Sequence, residues 1–172
     1  KCNDRKIYQK FKNVKKIGNF HLSTDLKEIK NSEVIIVSIN FEIDIKNRYP
    51  FYELKMFFNE LAKLISKDTL IIVETTLPPG TCDKIIYPIL KSNFIKRGFK
   101  RDDILLSYSY ERIMPGYNYY DSIVNNYRVF SGINAKSKKI CKNFLSKVLN
   151  TKKFPLTLLN SNTECEFTKI LE

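Results

Sequence analysis

Polar side chains able to do chemistry follow short apolar runs at three places in this chain: Ser38 and Asn40, Glu74 to Thr76, and Ser107 onward to Glu111 and Arg112. The middle group is the most constrained. Four consecutive apolar residues, Leu70-Ile71-Ile72-Val73, are too few for a helix and suit a strand buried on both faces. Polarity arrives at once with Glu74, Thr75 and Thr76, and Pro78-Pro79-Gly80 then ends the strand. The prolines withhold ladder N–H groups, and glycine takes backbone angles that other residues resist. Ile85, Ile86, Ile89 and Leu90 follow on one helical face. A strand that ends in hydroxyls and a carboxylate, turns sharply and enters a helix describes the carboxyl edge of an α/β sheet, where such sheets bind ligands. A carboxylate in a cleft at that edge can act as a base, and a fixed ammonium there favours developing negative charge.

Nucleophilic and metal chemistry have less support. The four cysteines, Cys2, Cys82, Cys141 and Cys165, lie far apart without C-x-x-C spacing, and there is one histidine, so no metal site is expected. Cys82 falls in the first turn of the helix after Gly80, where the macrodipole lowers a thiol pKa. It reads either as a nucleophile or as a plain helix-start residue, and no histidine can be placed beside it. His21 reads as a strand or surface residue.

The elements that would position these groups alternate. Residues 1–19 are basic and weakly patterned, a surface helix or connection. Residues 20–23 read as a short strand, and Thr24 or Asp25 caps a short helix ending at Asn31, with Asp25 and Glu28 at capping-box spacing. Strands are expected at 34–39, 70–73, 104–106, 128–132 and 156–159. A helix over 51–66, after the Tyr49-Pro50 loop, carries Leu54, Phe57, Phe58, Leu61, Leu64 and Ile65 as one core-facing stripe. A helix over 135–149 turns Ile140, Phe144, Leu145 and Val148 inward, and Asn162 or Thr163 caps a last helix reaching Glu172. Strands alternating with helices give an α/β class with a largely parallel sheet.

With 172 residues, 43% hydrophobic and 28% charged, the chain is one globular domain with a real core. No apolar run approaches a membrane span, and the basic start is followed by no leader-like apolar segment; both point to the cytoplasm and away from membranes. The net charge of +12 invites a nucleic-acid reading, but the lysines are scattered rather than concentrated into a motif, so no nucleic-acid partner is expected.

The strand ends, taken with Arg128-Val129-Phe130-Ser131-Gly132 and with residues 164–172 (Glu-Cys-Glu-Phe-Thr-Lys-Ile-Leu-Glu), keep one order and spacing. Together they resemble the UDP-glucose/GDP-mannose dehydrogenase family, from about Phe20 to the last residue. The Glu111-Arg112-Ile113-Met114-Pro115-Gly116 run is most similar to the branch that oxidises UDP-N-acetylhexosamines for surface polysaccharide. The resemblance implies a double NAD-dependent oxidation of a sugar C6 alcohol to a carboxylate. The aldehyde is trapped by a cysteine, and the resulting thioester is hydrolysed. It also implies a homodimer and a UDP-sugar substrate. Thr76 then matches the threonine that helps hold the catalytic water, Glu111 the glutamate that activates it, and Lys169 the lysine that stabilises the oxyanion. Ser38, Asn40 and Thr76 would lie along the cofactor, and Glu111, Arg112, Ile113 and Lys169 along the nucleotide sugar. Each has a plainer alternative: Thr76 as a turn-former, Glu111 and Arg112 as a surface ion pair, Lys169 as a solvated side chain. The ordered set favours the functional roles.

Departures from the family pattern shape the expectation further. No G-x-G-x-x-G occurs, so the glycine-rich strand–turn–helix that cradles a pyrophosphate is missing. None of the four cysteines matches the family nucleophile, and Tyr110 stands where the family usually has proline. The chain therefore reads as a fragment: residues 1–160 an incomplete Rossmann-like NAD-binding domain, 161–172 the start of a central dimerisation helix. Alone it should be inactive, with little NAD affinity and an apolar sheet edge exposed at the Val34 strand. The rival readings are a fragment of a 3-hydroxyacid or 6-phosphogluconate-type dehydrogenase and a basic module for nucleic acid or anionic surfaces.

Overall fold

The structure is a computed structural model that describes residues 4–41, 51–113 and 118–171. Cys2, the Tyr49-Pro50 loop, Met114-Pro115-Gly116-Tyr117 and Glu172 lie outside the described residues.

Short, mostly apolar runs form the sheet, with the β-branched residues that favour a pleated, buried surface concentrated in its first two strands. Strands β1 (Val34–Val37), β2 (Leu70–Val73), β3 (Leu105–Tyr108), β4 (Arg128–Gly132) and β5 (Leu156–Leu158) lie side by side in chain order. β1, β2 and β3 are parallel and in register, with Val37 opposite Val73 and Val73 opposite Tyr108. Their carboxyl ends therefore finish at one rim. Alternation then sorts the β2 side chains. Ile71 and Val73 join the core that Leu54, Phe58 and Leu61 of α2 (Tyr52–Leu64) share with Leu90 and Phe94 of α3 (Tyr87–Lys96). Leu70 and Ile72 face Cys141 and Leu145 of α5 (Ala135–Val148). β2 is thus buried on both sides, as its unbroken apolar run requires. Among the described residues β1 is an edge strand, and its Ile36 is 47% exposed.

Two local expectations need correction. Residues 20–23 form no strand: Leu22 is 78% exposed, and Phe20 instead packs edge-on against Phe11, 5.1 Å away. That pair ties the segment to α1 (Arg5–Lys16), whose first amides are capped by Asp4. The short helix expected after Asp25 is present at Leu26–Asn31, capped by Asp25, and is 3-10, in keeping with its length. Val148, expected inward, is 48% exposed in the last turn of α5. The sheet is largely parallel, as expected, with one exception: β4 runs antiparallel to β3. The connection through α4 (Tyr119–Val124) thus leaves and re-enters the sheet at the same rim, which brings Arg128, the first residue of β4, to the carboxyl ends of β2 and β3.

Candidate functional site

The rim is held together by side chains just past the strand ends. Thr75, buried after β2, accepts a hydrogen bond from the Ile39 amide and donates to the Ile39 carbonyl, each at 3.0 Å. The Tyr108 hydroxyl donates to the Thr75 carbonyl at 3.1 Å. Thr75, rather than Thr76, therefore does the backbone bonding that a turn threonine performs. Thr76 stands exposed beside it, and Ser38 and Asn40, flanking the bonded Ile39, are exposed as well. The three candidate cofactor-side residues share one rim.

Beside them Glu74 and Arg128 form an ion pair at 2.7 Å, with Arg128 6% and Glu74 16% exposed. Arg128 also donates to the Ser109 carbonyl, which anchors the segment leading to Glu111. Burial pushes the Glu74 carboxyl above its ordinary pKa; Arg128 opposes this, and the nearby Glu111 adds to it. A cavity of about 250 Å³ opens here, with Ile36, Ile113, Ile123 and Phe144 as apolar wall and Glu74, Glu111 and Arg128 at its polar end. Pockets of this kind, apolar with a few convergent polar groups, are common small-molecule sites.

Glu111 and Lys169 meet. The Lys169 ammonium donates to the Glu111 carbonyl oxygen at 3.0 Å and lies 5.1 Å from the centre of the Tyr110 ring. The Arg112 guanidinium is 5.9 Å from the same ring. Tyr110, itself 1% exposed, thus offers its face to two cations. The Glu111 carboxylate accepts from the Ile113 amide. Glu111, Arg112 and Lys169 are half-buried, and Ile113 is exposed.

Lys169 is carried by α6 (Asn162–Leu171), and the anchoring of that helix is what sequence reasoning missed. Glu166 is fully buried. Its Oε2 accepts from the Gly80 amide at 2.6 Å and its Oε1 from the Cys82 amide at 2.7 Å. These amides begin the single π-helical turn Cys82–Ile86, to which no side chain of its own N-terminal residue is bonded. A carboxylate at such an end satisfies orphan donors and suits the positive end of the helix dipole. In return, Asp83 in that turn accepts from Asn162 at 3.2 Å and Thr163 at 2.7 Å. Asn162, Cys165, Glu166 and Lys169 recur at i, i+3, i+4 and i+7. That spacing marked one face of α6 and could have flagged Glu166.

The cysteines read differently from the expectation. Cys82 is fully buried, and burial, reinforced by the Glu166 carboxylate, pushes its thiol pKa well up rather than down. Burial likewise raises Cys141 to about 12 and Cys165 to about 11. Burial and a raised pKa both keep these thiols from forming the reactive thiolate. Among the described residues no cluster of side chains could hold a metal ion.

Residues 2–150 match the sequence model of the UDP-glucose/GDP-mannose dehydrogenase family, NAD binding domain. The chain belongs to this family. The UDP-N-acetyl-D-mannosamine dehydrogenase of Pyrococcus horikoshii is 23% identical over 166 residues, covering 96% of this chain and 38% of that protein. Protein CapL of Staphylococcus aureus is 29% identical over 105 residues, 60% of this chain and 24% of its own length. The solved UDP-D-ManNAc dehydrogenase of P. horikoshii superposes with a TM-score of 0.81 at 21% identity, over 98% of this chain and 38% of that one. The fold of this chain is therefore that of the family's dehydrogenases, and the chain spans well under half the length of the relatives it matches.

Proposed function

We propose that this chain is part of an NAD-dependent nucleotide-sugar 6-dehydrogenase that oxidises the C6 alcohol of a UDP-N-acetylhexosamine, or of UDP-glucose, to a carboxylate for surface polysaccharide. Protein CapL and the UDP-N-acetyl-D-mannosamine dehydrogenases among its relatives support the sugar class. The observation that carries the reading is the Lys169 ammonium seated on the Glu111 carbonyl, which unites segments 58 residues apart at the rim where Thr76 is exposed.

NAD fits this chain in part. Ser38, Asn40 and Thr76 offer polar groups along the rim, but the sequence holds no glycine-rich pyrophosphate turn. Of the two described glycines that lead from a strand into a helix, Gly80 has its amide taken by Glu166, and at Gly132 a Cβ would stand 2.8 Å from the Lys138 amide nitrogen and 2.9 Å from the Ser137 hydroxyl oxygen. That space is filled by packing. NAD, when bound, would accept hydride from the sugar.

The residues of this chain would serve the water step. Thr76 holds a water at the rim, Glu111 takes its proton, and Lys169 stabilises the negative charge that develops on the attacked carbonyl oxygen. Cys82, Cys141 and Cys165 are buried, which does not suit a trapping thiolate. The outward side chains of α6, Phe167, Ile170 and Leu171, are exposed, which suits a helix that pairs in a homodimer. Among the described residues no helix is long and apolar enough to cross a membrane, which is compatible with action in the cytoplasm.

The test follows NADH formation by the full-length parent with UDP-N-acetylhexosamines and UDP-glucose. Two NADH per sugar are expected, and Glu111→Gln should slow turnover by about 10²-fold. Wild-type turnover in that variant would remove Glu111 from the mechanism.

A further inference from the structure

Glu166 touches no exposed part of the rim, yet it lies between the two segments whose spacing the chemistry needs. Its carboxylate holds the Gly80 and Cys82 amides, at the end of the turn that starts with Thr76. One helical turn along α6, Lys169 reaches the Glu111 carbonyl. Side chains three apart on a helix share a face, so the two contacts leave α6 from the same side. Gly80 has φ +89°, a conformation glycine adopts without strain, which presents its amide to the carboxylate. A charged acceptor at two amide donors is among the stronger hydrogen-bonded arrangements, and a glutamate spanning them resists both sliding and rolling of α6.

Resting on the functional reading above, we propose that Glu166 is a positioning residue. It fixes α6 against the Pro78-Pro79-Gly80 turn and so sets Lys169 and Thr76 at the separation that the reaction uses. It acts through the backbone and never meets substrate. Asp83, bonded to Asn162 and Thr163, fastens the start of the same helix, so the registration of α6 is set from both sides. A shift of about 1 Å in catalytic groups can cost about 10²-fold in rate, which puts a buried clamp within reach of kinetics.

The experiment compares three versions of the full-length parent with wild type: Glu166→Gln, Glu166→Asp and Phe94→Leu. The last shortens a buried side chain in α3, away from the rim, and is the control for lost stability. Glu166→Gln turns one amide donor toward another and should lower kcat at least about tenfold, with KM for the nucleotide sugar within about twofold. Phe94→Leu, at a similar melting temperature, should keep its kcat. Should the Gln protein fail to fold, Glu166→Asp carries the test, because its carboxylate stops one methylene short and kcat should fall likewise. Wild-type kcat in either Glu166 variant overturns the proposal, as does an equal loss of kcat in Phe94→Leu. A wild type inactive on every nucleotide sugar sinks the functional reading instead. The clamp is then judged by hydrogen exchange at the Gly80 and Cys82 amides, which must quicken in Glu166→Asp.

Discussion

The Glu74–Arg128 pair shows how a single contact at this rim is paid for by burial. Both partners are largely out of water, so removing one leaves the other charged and unsolvated. Arg128→Met should therefore destabilise the fold by about 3 kcal/mol, at the lower end for a buried pair because Glu74 keeps some exposure. Glu74→Gln, which leaves Arg128 its Ser109 carbonyl, should cost about 1–2 kcal/mol. Urea unfolding of both variants and of the double mutant gives the coupling, and additive losses would show that the pair acts as two separate contacts. None of this was legible in the sequence. Glu74 reads in the sequence as part of a polar strand end, but its partner is 54 residues away and arrives only because β4 turns back. Thr76 and Lys169 were readable as candidates through the ordered set of motifs. Thr75 was not, because it bonds backbone groups, and although Glu166 shares the α6 face of Lys169, its partners, the Gly80 and Cys82 amides, lie 86 and 84 residues away.

At the scale of elements, legibility followed how much local sequence decides the outcome. β2 and α2 were plain because an unbroken apolar run and a 3.6-residue stripe each allow one environment. Residues 20–23 misled because four residues of strand character need a partner, and the described sheet supplies none. The direction of β4 depends on where its connection travels, which no local pattern records. The apolar edge foreseen at the Val34 strand is present, with Ile36 exposed on an edge strand. Such an edge invites pairing with another chain, and a charge placed on it blocks that pairing. Ile36→Lys in this chain should suppress self-association in sedimentation at rising concentration, while changing stability by less than about 1 kcal/mol. Unchanged association would place the contact elsewhere, with the exposed face of α6 next to be tested.

Taken whole, the molecule gathers the proposed catalytic groups at one rim, in a sequence without the glycine-rich turn that gives a dinucleotide most of its hold. Pyrophosphate affinity in Rossmann-type domains comes from backbone amides at a helix start, brought close by glycines. The hydroxyl and amide groups of Ser38, Asn40 and Thr76 offer no equivalent. What remains is charge: a net +12 spread along the chain attracts any anion, NAD included, without a defined pose. Binding of that origin weakens as salt shortens the reach of exposed charges, to about 10 Å at 0.1 M and about 3 Å at 1 M. Calorimetric titration of this chain with NAD should thus give a Kd above about 1 mM, less than about 4 kcal/mol of binding free energy. Whatever heat is seen at low salt should vanish by 0.5 M. A saturable, salt-resistant site of micromolar affinity would mean that the rim alone grips the dinucleotide. The proposed division of labour, chemistry on this chain and the pyrophosphate held elsewhere, would then be wrong.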